Sequence, residues 1–343
     1  MLTPSRLRPG DRLAAVSLSW GGPGAIPHRY EIGKWQLQEA FGVHVVEMPH
    51  TLADPALLDA RPDLRAADLH QALSDPDIAG IVSTIGGDDS IRLLPYLDLD
   101  LIAANPKVLL GYSDTTITQM AFLRAGVTSF YGPAVMAGFA ENGGLHHYLV
   151  EGVRRTLFDP TDETLWPPNE DGWTVEFSDW ADPTNQERPR SLQPSSGPRW
   201  LGGEASEGTT VVGCLEVLDW LRGTEWWPSL EGAVLLLETS EEAPPPASVT
   251  RFLRVLAATG ELSRLAGIVF GRPGGASLSD EDRLAYDDAI LQVVRTEAGL
   301  DDLPVVTNTD FGHTDPIWTI PQGVRMRVDP DTCTLTLLEP AVI

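Results

Sequence analysis

Between residues 11 and 130 short apolar runs alternate with helical stretches, and three of those runs end in a glycine-bearing polar turn. Residues 11–20 lead into Gly21-Gly22-Pro23-Gly24, Ala79–Ile85 into Gly86-Gly87-Asp88-Asp89-Ser90, and Lys107–Leu110 into Gly111-Tyr112-Ser113-Asp114. A fourth run, Val43–Val46, lies between helical stretches that end near Ala40 and span Asp63–Leu73. An unbroken apolar run such as AGIVSTI reads as a strand buried on both faces, and strands that alternate with helices build a parallel sheet. The rhythm therefore predicts an α/β fold with an open parallel sheet and helices on both of its faces.

The rhythm stops between about residues 158 and 208. This stretch is rich in proline and polar residues and carries Trp166, Trp173, Trp180 and Trp200. It is too long for an ordinary connection, and a disordered linker would seldom hold so many tryptophans. It reads as a crossover plus a folded functional loop, with residues 173–204 expected to lie as a lid over a cleft. From Thr209 the alternation resumes, with strands at Thr209–Val212, Ala233–Leu237, Gly267–Phe270 and Val305–Thr307 and a closing hairpin at Val324–Val328 and Thr334–Leu338. The expected organisation is a first domain over 1–157, the loop over 158–208 and a second domain over 209–343.

The chain has 49 acidic and 24 basic residues, a formal charge of −25. That excess disfavours nucleic acid or an anionic membrane as partner, because both need lysine and arginine patches. Two cysteines, Cys214 and Cys333, make no disulfide framework, which fits a reducing cytoplasm. No window of about 18 uncharged apolar residues occurs, and the N-terminus has no long apolar run before a cleavage site, so neither a membrane span nor a leader is expected.

Ser113 sits where a strand meets a helix, in a turn that resembles a nucleophile elbow with Thr115 in place of the second glycine. Such a turn lifts one side chain above the sheet and aims backbone N–H groups at an oxyanion. A serine or aspartate there is also an ordinary helix cap. Gly86, Gly87 and Asp88 open the next helix in the same way, and this loop can supply an oxyanion hole or cradle a phosphate at a helix N-terminus. The second use would make the chain a nucleotide-binding module. His313 follows an apolar strand in a dense polar segment, where a general base is well placed. Glu238 ends the apolar run AVLLL, and a buried carboxylate needs a partner, either an imidazole to orient or an arginine.

Taken together, GYSDTT, IGGDDS, YGPAVM, the strand ending in Glu238, GIVFGRP and the late Gly-His before IPQG resemble the LD-carboxypeptidase family of serine peptidases. The Trp-bearing segment at 173–204 resembles the branch that contains the microcin C immunity carboxypeptidases. The resemblance implies a flavodoxin-like or Rossmann-like N-terminal domain, a mixed α/β, barrel-like C-terminal domain, an active site in the cleft between them, and a homodimer. It implies a Ser113–His313–Glu238 triad, an oxyanion hole from the Gly87 and Asp114 N–H groups, substrate contacts at Trp180, Gly86 and Asp88, and no metal or cofactor. Two substrate classes follow from it, murein peptides and aminoacyl-nucleotide toxins, with Trp180 stacking the nucleobase in the second. The glutamate that the branch often carries after Gly-Arg-Pro is replaced by Ala276, so Arg188, Arg190 and Arg199 are the loop candidates for an acidic acyl group.

Overall fold

The computed structural model describes all residues, 1–343. Its strands are β1 (Arg12–Val16), β2 (His44–Glu47), β3 (Ile78–Ser83), β4 (Val108–Gly111), β5 (Phe130–Tyr131), β6 (Thr164–Leu165), β7 (Arg199–Trp200), β8 (Ser206–Cys214), β9 (Ala233–Glu238), β10 (Gly267–Gly271), β11 (Val305–Thr309), β12 (Ile320–Pro321), β13 (Arg325–Asp329) and β14 (Thr334–Leu337). They form two sheets, ordered β12-β5-β4-β3-β1-β2 and β6-β14-β13-β8-β9-β10-β11-β7.

The first sheet is parallel from β2 through β5, as the alternation predicts, and β12 closes its edge antiparallel to β5. That last strand returns from near the C-terminus and interlocks the two halves. The second sheet has a parallel centre, β8-β9-β10-β11, with antiparallel strands on both flanks. It is open, ending at β6 and β7, so the barrel-like expectation is corrected: short antiparallel edge strands stop the sheet before it can close.

Alternation along the strands divides the core. In β1, Leu13 and Ala15 face one apolar cluster while Ala14 and Val16 face another; in β9, Val234 and Leu236 face the first of these and Leu235 and Leu237 a third. The shared cluster of 38 buried residues takes one face of each sheet, so a continuous core joins the halves. The carboxyl ends of the parallel strands of both sheets converge above it, where open α/β sheets place their ligand sites.

Two helical segments depart from regular α geometry. The helix over residues 280–297 keeps α geometry only to Leu291 and continues as a wider turn through Glu297. The helix expected after Ser90 is a tight 3₁₀ segment, Ser90–Tyr96, because Pro95 lies inside it. No helix is long and apolar enough to cross a membrane.

Candidate active site

Ser113 follows β4 with φ at +60°. A non-glycine residue there is strained by about 1–3 kcal/mol and persists only where its surroundings hold it. Gly111 allows the turn, since a side chain on it would press into Ser83 and Thr115. A Cβ on Gly86 would lie 3.0 Å from Ser113 Oγ, so glycine there leaves room above the hydroxyl. Gly87 is exposed, and no hydrogen bond within the protein engages its N–H. Asp88 is exposed beside it.

Glu238 at the end of β9 is fully buried. Its Oε2 lies 2.7 Å from His313 Nδ1, and His313 Nε2 lies 3.0 Å from Ser113 Oγ. Gly312 makes the first contact feasible: it sits at φ +95°, and any side chain on it would collide with Glu238. The structure thus brings Ser113, His313 and Glu238 into one hydrogen-bonded line, although 200 residues separate the two ends of the Ser113–His313 contact. Burial alone would lower the His313 pKa; Glu238 first, then Glu241 and Glu216, outweigh it and push it up to about 9.

Three contributors escaped the sequence reading. Tyr131, fully buried, accepts a hydrogen bond from the Ser113 N–H at 3.0 Å and donates to Glu238 Oε1. It lies inside the motif YGPAVM, where its place at the end of a parallel strand was the available signal. Glu241, largely exposed, places Oε2 3.2 Å from His313 Nε2. Asp114 does more than offer an N–H: its buried carboxylate accepts from Ser19 Oγ at 2.5 Å, Ser90 Oγ at 2.6 Å, Ser90 N at 2.9 Å and Asp89 N at 3.1 Å. Burial pushes its carboxyl pKa up against the pull of those donors. The carboxylate therefore already engages the Asp89 and Ser90 N–H groups at this helix start, two of the donors a phosphate would use there.

The long segment is tied down by side chains. Thr174 and Asp315 exchange backbone hydrogen bonds of 2.7 and 3.0 Å, pinning the segment two residues beyond His313. Trp173 is buried, with the guanidinium carbons of Arg272 and Arg283 4.4 and 4.7 Å from its ring centroid. Trp166 stacks on Trp318. Trp180 is half-buried, its carbonyl 2.8 Å from His28 Nε2, with Arg29 4.6 Å from its ring centroid. Exposed Phe177 lies three residues before it. The loop arginines are not free for an acidic group: Arg188 pairs with Glu176, Arg190 with Glu141 and Asp315, and Arg199 with Asp287.

Comparison with known proteins identifies the family and its fold. Residues 13–132 match the LD-carboxypeptidase N-terminal domain and residues 207–328 the LD-carboxypeptidase C-terminal domain. The microcin C7 self-immunity protein MccF of Escherichia coli is 31% identical over 279 residues, 80% of this chain and 78% of that protein. A murein tetrapeptide carboxypeptidase of Pseudomonas aeruginosa is 36% identical over 96 residues, covering 28% of this chain and 31% of its own length. An MccF-like protein from Streptococcus pneumoniae, solved with AMP, superposes with a TM-score of 0.84 at 29% identity, covering 96% of this chain and 98% of its own. MccF solved with glutamyl sulfamoyl guanosine gives 0.84 at 27% identity with both chains covered in full.

Proposed function

The chain belongs to the LD-carboxypeptidase family of serine peptidases, and from that premise we propose that it hydrolyses the amide or phosphoramidate bond of aminoacyl-nucleotide toxins with a Ser113–His313–Glu238 triad. The observation that carries the chemistry is the unbroken line from Ser113 Oγ through the imidazole to a buried carboxylate. Ser113 attacks the carbonyl carbon of the acyl group, so the bond that breaks is its C–N bond to the amide or phosphoramidate nitrogen, while His313 Nε2 takes the Ser113 proton and Glu238 keeps the other ring proton on Nδ1 and stabilises the imidazolium. The oxyanion turns toward the N–H groups of Gly87 and Asp114. His313 then protonates the departing nitrogen, and water releases the acyl group by the same steps reversed in role.

In this reading 1–157 supplies the nucleophile, 209–343 the base and its carboxylate, and 158–208 the substrate loop, with the enzyme acting as a cytoplasmic homodimer. Trp180 offers its outward face to a nucleobase, an interaction worth about 1–3 kcal/mol. The nucleotide assignment is favoured by the AMP and sulfamoyl-nucleoside complexes of its structural relatives. A murein-peptide substrate is the second reading, favoured by the pairing of all three loop arginines with carboxylates and by the negative charge of Glu241 beside His313. Turnover of an aminoacyl sulfamoyl adenosine against a murein tetrapeptide decides between them; cleavage of neither defeats both.

A further inference from the structure

We propose that Tyr131 is a positioning residue: its hydroxyl ties the strained Ser113 backbone on the first sheet to the Glu238 carboxylate on the second and moderates the hold of Glu238 on His313. The proposal rests on the triad reading above.

The direction of each hydrogen bond is fixed by counting protons. The Ser113 N–H can only donate, so the Tyr131 oxygen accepts it at 3.0 Å. The single hydroxyl proton is then free for Glu238 Oε1, the one carboxylate oxygen that His313 does not use. Both oxygens of a fully buried carboxylate are thereby engaged by the protein, as a buried charge requires. Strand pairing puts the hydroxyl there: Tyr131 lies opposite Gly111 in the β4–β5 register, two residues before Ser113. Its ring is held edge-on between Tyr112 and Phe311, with centroids 6.3 and 6.4 Å away.

Two consequences follow. The Ser113 N–H belongs to a residue at φ +60°, and an acceptor fixed behind it holds the elbow in that conformation. A carboxylate that already accepts from a hydroxyl attracts an imidazolium less, so Tyr131 opposes the tendency of the site to keep His313 protonated. The groups that face His313 are Glu238 from β9, Glu241 from the turn beyond it, Glu216 from the short helix Leu215–Asp219, and Tyr112 and Ser113 from the elbow. Tyr131 acts through Glu238 alone among the carboxylates.

The test is the rate at which a fluorophosphonate probe labels Ser113 in the intact protein, measured across pH. In Tyr131→Phe we expect labelling about 10-fold slower, as for loss of a hydrogen bond to a charged group, with the acidic midpoint moved to higher pH. Combined with Glu238→Gln, the same change should add less than about 3-fold, because the part of its effect that runs through the carboxylate charge is already gone and only the contact to the Ser113 N–H remains. Placing 3-fluorotyrosine at position 131, a stronger donor of the same shape, should move the midpoint to lower pH and decides the matter if the phenylalanine variant does not fold. An unmoved rate and midpoint in Tyr131→Phe, or an unmoved midpoint with fluorotyrosine, overturns the proposal. Labelling that persists in Ser113→Ala instead overturns the triad reading on which it stands.

Discussion

The proposed triad and the long segment at 158–208 are held in place by different means. Ser113, Glu238 and His313 each sit at or just beyond the carboxyl end of a parallel strand, and glycines at 86, 111 and 312 let the backbones approach. The long segment has little regular structure; paired arginines and tryptophans anchor it, through Arg29 under Trp180, Arg272 and Arg283 around Trp173, and Arg190 between Glu141 and Asp315. Backbone geometry fixes the chemistry, and long-range side-chain pairing fixes the wall beside it. The two should therefore respond differently to mutation, one in rate and the other in stability and substrate binding.

The largest expected effect is on rate. Ser113→Ala should lower kcat by about 10⁴-fold or more on any substrate and leave the unfolding midpoint nearly unchanged. Ser113→Gly should be equally inactive yet more stable by about 1 kcal/mol, since glycine adopts φ +60° without strain. Activity assays beside urea titrations check both. A Ser113→Gly protein less stable than the parent would mean that the elbow stores no strain, and this half of the comparison would fail.

Arg190→Ala should do the reverse. It removes the cation between Glu141, which is 1% exposed, and Asp315. Breaking a buried pair by deleting one partner costs about 3 kcal/mol or more. The Arg190 contact to Asp315 also pins the segment near His313, so KM should rise while kcat falls less. A urea midpoint that does not move would show that the segment is held by its backbone contacts with Asp315 instead.

The same division explains what could be read from sequence. A strand that ends in a polar turn is a local pattern, so Ser113, Gly87, Glu238 and His313 stand out singly, and the family resemblance supplies the roles that join them. The partners of a tryptophan or a buried carboxylate are not local. Arg272 meets Trp173 from just past β10, Arg29 meets Trp180 from a helix start, and Tyr131 meets Glu238 across two sheets, and nothing in the flanking residues announces those meetings. Arg188, Arg190 and Arg199 looked like free cations for the same reason: their carboxylates lie 12 to 125 residues away. The barrel-like expectation failed because sheet closure depends on edge pairing by two-residue strands too short to leave a pattern.

Trp180→Ala sharpens the comparison within the segment. If its ring reads a nucleobase, KM for a nucleotide substrate should rise about 5- to 150-fold, and turnover of a murein peptide should barely change. Equal losses on both substrates would make the ring a packing element on Arg29. No loss on either would place it outside the site.

The smallest effect lies at the solvent-exposed edge of the triad, beside His313. Glu241 is exposed, yet its carboxylate sits 3.2 Å from the same His313 nitrogen that faces Ser113 at 3.0 Å. A negative charge there favours the imidazolium, whereas attack by Ser113 needs the neutral ring. In the proposed mechanism catalysis is therefore switched on as pH rises through the His313 pKa, which Glu238, Glu241 and Glu216 together hold above its usual 6.5. Glu241→Gln removes one of these charges, so the acidic limb should move to lower pH, by about one unit or less for an exposed group. Below the limb the variant should be up to about 10-fold faster than the parent, and well above it the two should coincide. Because the charge is solvent-facing, the difference should shrink as ionic strength rises toward 1 M, where screening acts over about 3 Å. A buried carboxylate such as Glu238 would show no such salt dependence. Labelling or turnover profiles at low and high salt separate the two, and coincident limbs at low salt would mean that Glu241 turns away from the ring in solution.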